Sequence, residues 1–127
     1  MIDAVVRFFY WRDKRDIMTY DEVVAKAEKH VKKRAPKTFL DHVAVQFNVR
    51  HERPFYLELN QGTVSVHPYE YYDHDVMVAA TAEQIDDILT GRMDAIDAIR
   101  KGEIRAEGNI RRLEILNNIL FSNKKGA

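Results

Sequence analysis

Three of the chain's five glycines, Gly91, Gly102 and Gly108, fall in one short run, TGRMDAIDAIRKGEIRAEGNIRRLEIL. Each ends one apolar segment and precedes the next, so this half of the chain cannot form one long helix or one long strand. Thr81, with Gln84 three residues on, predicts a capping box in which each side chain satisfies the other residue's free backbone N–H. Ile85, Ile88 and Leu89 then share a helical face, and Gly91 stands where a residue of positive φ would end the helix. Met93, Ile96 and Ile99 repeat the spacing, and Gly102 closes that segment. Glu103–Glu107 alternates polar and apolar residues, as a half-buried strand does. Beyond Gly108, Ile110, Leu113, Leu116 and Leu120 form an apolar helical stripe. The predicted order is helix, helix, strand, helix, with each element too short to be stable alone.

The first half supplies the rest of a sheet. Thr19 with Glu22 is a second capping box, followed on one face by Val23, Val24, Ala27 and Val31 to about Arg34. Lys32, Lys33 and Arg34 complement the helix dipole there, with docking of acidic head groups or acyl-CoA phosphates as the alternative reading. Pro36 stops the helix. Val43, Val45, Phe47 and Val49 alternate with Ala44, Gln46 and Asn48. Phe55, Leu57 and Leu59 alternate with Tyr56, Glu58 and Asn60. Asn60-Gln61-Gly62 turns the chain into Thr63–His67, with Val64 and Val66 inward. These short connections predict an antiparallel meander. Asp75–Ala80 is a fourth strand, with Val76, Val78 and Ala80 on one face. Met77 and Ala79 make its other face apolar too, so that face should be covered. Glu103–Glu107 is the fifth strand, and its neighbours are open at this level. The fold class is α+β: a five-stranded, mainly antiparallel sheet with helices mostly over one face.

A chain of 127 residues is one domain of this kind, with 46% hydrophobic and 31% charged residues. The absence of cysteine excludes disulfides, thiolate metal sites and thiol nucleophiles. No apolar run approaches a membrane span, and Asp3 and Arg7 interrupt the apolar start, which argues against a signal peptide. The expected location is cytoplasmic. Net charge is zero but unevenly spread: Met1–Lys37 has ten Lys/Arg against six Asp/Glu, Thr38–Asp97 three against eleven, and Ala98–Ala127 seven against three. That balance argues against a nucleic-acid partner. Ile2, Val5, Val6 and Phe9 lie at helical spacing, widened by Phe8, Tyr10 and Trp11. This stretch reads as a helix packed on the body of the domain, or as an interfacial anchor with Arg7, Arg12, Lys14 and Arg15 on anionic lipid.

The segment HPYEYYDHD, residues 67–75, concentrates two histidines, three acids and three tyrosines. A metal reading would use His67, Asp73, His74 and Asp75, but their spacing matches no helical or finger-type ligand pattern. His67 near Asp73 or Glu70 has the makings of a base and its orienter, yet the chain has no nucleophile elbow and no glycine-rich phosphate loop. The expectation is a loop, with its tyrosines covering the sheet edge and no metal, cofactor or catalytic site.

Thr81, Glu83, Ile88, Leu89, Gly91, Met93, Asp94, Ala98, Gly102, Ile104 and Gly108 form an ordered set. That set resembles the C-terminal signature of the sterol carrier protein family, the type-two lipid-transfer kind. The runs VQFNV and FYLELNQGTVSVHPYEYYDHD are similar to its short stand-alone bacterial members. The resemblance spans about Thr19 to Leu120, and departs at Ile99, where many members carry an aromatic residue. It implies a non-catalytic carrier of a fatty acid, acyl-CoA or sterol-like molecule in an apolar tunnel between sheet and helices. The implied lining is drawn from Phe47, Leu57, Val66, Val78, Ile85, Leu89, Met93, Ile96, Ile99, Ile104, Leu113, Leu116 and Leu120. The implied division is an amphipathic extension over 1–18, a lipid-binding domain over 19–121 and a disordered tail over 122–127. The alternative is an interaction module with a vestigial pocket, forming a homodimer through its aromatic N-terminal stretch.

Overall fold

The structure, a computed structural model, describes residues 18–122. The expected N-terminal amphipathic stretch and nearly all of the expected tail lie outside the described residues. Four helices and five strands follow in order: α1 (Tyr20–Arg34), β1 (His42–Val49), β2 (Pro54–Asn60), β3 (Thr63–His67), β4 (Val76–Ala80), α2 (Ala82–Leu89), α3 (Ala95–Arg100), β5 (Arg105–Gly108) and α4 (Ile110–Asn117). After α4 the chain makes one wider helical turn over Asn118–Ser122.

Both expected capping boxes form. The Thr19 hydroxyl accepts from the Glu22 N–H while Glu22 reaches back to the Thr19 N–H, and Thr81 and Gln84 repeat the arrangement. Gly91 ends the α2 turn at φ 77°. In α1, Tyr20, Val23, Ala27 and Val31 are buried along one face.

The sheet order is β3-β2-β1-β4-β5. The meander is present: β2 runs antiparallel to β1 (Phe47 opposite Phe55) and β3 antiparallel to β2 (Leu57 opposite Val66). β4 departs from it, entering beside β1 in parallel with Phe47 opposite Val78. β5 completes the sheet antiparallel to β4. The sheet is therefore mixed, though mostly antiparallel. The β3–β4 connection has to travel from one edge past β2 and β1, which is more than a hairpin can do.

That connection is the HPYEYYDHD segment, and its placement corrects one expectation. Of its three tyrosines, Tyr69 keeps to the edge strand, with its ring 5.7 Å from that of His67 in β3, and the other two do not. Tyr71 lies on the outer sheet face, with its ring 4.5 Å from Tyr56 and its N–H donated to Gln46 Oε1 at 2.8 Å. His67 stacks on Tyr56 as well, also at 4.5 Å. Gln46 and Tyr56 are buried under this cover, while Tyr72 is 96% exposed. Burial holds the Tyr56 and Tyr71 hydroxyls above the usual tyrosine range.

The opposite face carries the helices. α1 lies against β3 and β2, α2 against β1 and α1, and α4 against β1 and β4. Six-residue α3 is held from outside itself. Asp94 caps it by accepting from the N–H groups of Ile96 and Asp97, and Asn117 of α4 accepts from the Ala95 N–H at 2.8 Å while donating to Asp94 Oδ1 at 2.9 Å. Asn117 is 5% exposed, so its loss would leave a buried N–H without an acceptor. Asn117→Ala is expected to cost about 2 kcal/mol and to speed amide exchange in α3 before β1. Equal protection of α3 in both proteins would count against this bridge.

Candidate functional site

The inner sheet face and the helices enclose one apolar layer. Phe47 and Phe55 stack at 5.2 Å, and Tyr20 meets Phe55 edge-on at 6.2 Å. The structure brings the thirteen residues of the expected lining into or against this single cluster. Phe47, Leu57 and Val78 come from the sheet, Ile85 and Leu89 from α2, Ile104 from the approach to β5, Leu113 and Leu116 from α4, and Leu120 from the last turn. All nine are at most 4% exposed and belong to the core cluster. Val66, Met93, Ile96 and Ile99 are half-buried and pack against it. Three of these four sit on α3 and the turn before it, on the side of the layer formed by the glycine-bounded segment 91–102.

A polar cluster that sequence spacing did not reveal adjoins this side. His30 of α1 faces Asp86 of α2, with Nε2 3.6 Å from Oδ1. Arg92 donates to Asp86 Oδ2 at 2.8 Å and to Asp87 Oδ1 at 3.0 Å. The Asp87 carbonyl accepts from the Arg92 and Met93 N–H groups, which fixes the turn carrying Met93. Asp86 Oδ1 is buried without a hydrogen-bond partner. Asp86 breaks the apolar pattern of α2, but nothing local shows that His30, 56 residues away, will meet it.

Burial holds the His30 imidazole below its ordinary pKa. Asp86 pulls it up, while Arg34, Lys26 and Arg92 push it down. Below its unfolded pKa of about 6.5 the unfolded chain binds this proton more readily than the folded one, so stability rises with pH there. His30 thus contributes stability that is present above that pKa and lost as pH falls through the depressed folded value. The stability difference between the protein and His30→Gln is expected to shift against the parent between about pH 7 and about pH 5. Parallel stability–pH curves would remove His30 as the source.

The histidines of the outer-face loop are tied locally: His67 Nε2 lies 3.1 Å from Ser65 Oγ, and His74 Nδ1 is 2.7 Å from the Tyr71 carbonyl oxygen. Among the described residues, no three His, Asp or Glu side chains are grouped to hold a metal ion. No helix among them is long and apolar enough to cross a membrane.

Solved structures share this fold. A ubiquinone synthesis protein, UbiJ-SCP2, aligns with TM-score 0.62 at 20% identity, covering 83% of this chain and 96% of its own. Sterol Carrier Protein-2 from Aedes aegypti, in complex with the C16 fatty acid palmitate, aligns with TM-score 0.59 at 16% identity, covering 83% and 98%. The sec-alkylsulfatase Pisa1 from Pseudomonas sp. aligns with TM-score 0.55 at 19% identity over 76% of this chain. This chain spans only 14% of that sulfatase, and 16% of its double mutant. At these identities the likeness shows the fold alone. No curated protein matches the chain. Residues 24–121 match the model of the SCP-2 sterol transfer family, and the chain belongs to that family.

Proposed function

We propose that this protein binds and carries one lipid, a fatty acid, acyl-CoA or sterol-like molecule, without chemical conversion. The observation that carries the reading is the family match over residues 24–121. It is supported by the palmitate complex of the mosquito relative and by the half-buried Met93, Ile96 and Ile99 at the side of the apolar layer. The ligand's chain enters there, parting α3 and α4 from the sheet, and the thirteen named apolar residues become its walls. Each methylene that leaves water contributes about 0.8 kcal/mol. Methionine at position 93 suits a wall that must fit more than one chain shape. Short helices joined at glycines separate at lower cost than one long helix, because each has few contacts of its own to break.

Native mass spectrometry of freshly purified protein tests this, followed by titration with palmitate, palmitoyl-CoA and a sterol. One lipid per chain is expected. A protein that carries none and takes up none of the three would sink the proposal, and a dimer mass without lipid would favour an interaction module.

A further inference from the structure

We propose that Arg50 and Arg105 seat the carboxylate of a single-chain fatty acid, in a groove at the end of the sheet; this rests on the lipid-carrier reading. The groove follows from register. Asn48 of β1, Ala79 of β4 and Arg105 of β5 lie side by side on the outer face. The small alanine between two longer side chains leaves a trough of about 370 Å³, within the roughly 300–1,000 Å³ of small-molecule sites. Arg50 closes one end, its backbone pinned by an N–H donated to the Ala80 carbonyl at 2.9 Å.

The donors here are unspent. The Arg50 guanidinium makes no hydrogen bond or ion pair among the described residues. Among the described residues Arg105 reaches only Glu107, at 3.6 Å, with both side chains largely exposed, and such a pair is worth little. Asn48 accepts from Gln46 through Oδ1, so its side-chain N–H groups remain available. Glu103 also lines the groove and opposes an anion, but two arginines outnumber it. Guanidinium groups match a carboxylate in geometry as well as charge.

The groove's other boundary is apolar. Val49, Ala80 and Ile104 line it, each 4% exposed, and all three belong to the core cluster. With its charge on the arginines, the ligand's chain passes over these three side chains, around the end of the sheet, to reach the layer on the helix side. A neutral alcohol of the same length offers this seat one uncharged acceptor in place of a charged pair of oxygens, so the groove favours a terminal anion.

The test compares palmitate with hexadecanol, a neutral ligand of equal chain length, on the wild-type protein and on Arg50→Gln/Arg105→Gln by titration calorimetry. Both substitutions are at exposed side chains, and an unchanged urea midpoint verifies the fold. The double variant is expected to bind palmitate about tenfold or more weakly and hexadecanol as before. Unchanged palmitate affinity, or equal loss for both ligands, overturns the seat and leaves the carrier reading standing. A wild-type protein that binds neither ligand overturns both. In the lipid-free protein, palmitate is expected to shift the Gly102 and Arg105 amide resonances. Shifts produced by inorganic phosphate and not by palmitate would assign the groove to a free anion and overturn the lipid head group.

Discussion

Gly108→Val is expected to destabilise the protein by about 4 kcal/mol, the sum of strain at a glycine-only backbone position and of overpacking against fixed atoms. Gly108 ends β5 at φ +114°, and a Cβ built there would stand 2.7 Å from the Asp75 carbonyl oxygen and 3.1 Å from the Val76 Cα. Neither neighbour can give way. The Asp75 N–H donates to the Ala44 carbonyl, its Oδ2 accepts from the Ala44 N–H, and its own carbonyl accepts from Asn109. Three elements meet at this point: β1, the start of β4 and the entry to α4. Gly102→Ala is the control. At φ +75° it has open space around the added carbon, so only backbone strain of about 1–2 kcal/mol is expected. Urea unfolding of the two variants checks this. Equal costs would show that contact at Asp75 does not matter.

Phe47→Ala is expected to cost about 4 kcal/mol, as deletions of fully buried phenylalanine do. Phe47 is wholly buried, faces Phe55 and Val78 across the sheet, and stacks on the former at 5.2 Å. The same variant reports on function. If Phe47 becomes a wall of the lipid site, an acyl chain fills part of the space the ring vacates. Saturating palmitate should then raise the urea midpoint of Phe47→Ala by more than it raises that of the parent protein, through binding to the folded state alone. Loss of stability with no larger recovery would return Phe47 to the ordinary core.

Local chemistry was legible residue by residue. The two capping boxes, the turn at Gly91 and the inward sets of β1, β2, β3 and β4 depend on side chains within a few positions of one another, and periodicity reports those directly. All thirteen apolar residues named for the lining lie in or against one cluster, because burial on one face is what their spacing encodes. Periodicity does not separate a filled core from the walls of a ligand site, since both require apolar side chains on the same face.

What the chain alone determined was therefore element type, element order and the greasy side of each piece, all consequences of short-range geometry. Tertiary structure decided the rest. It placed β4 parallel to β1, laid Tyr71 across the outer face, brought His30 to Asp86 and aligned Asn48, Ala79 and Arg105 into a trough. Each of these joins residues far apart in sequence, and the choice among such pairings is made by the packing of the whole molecule, which no local pattern records.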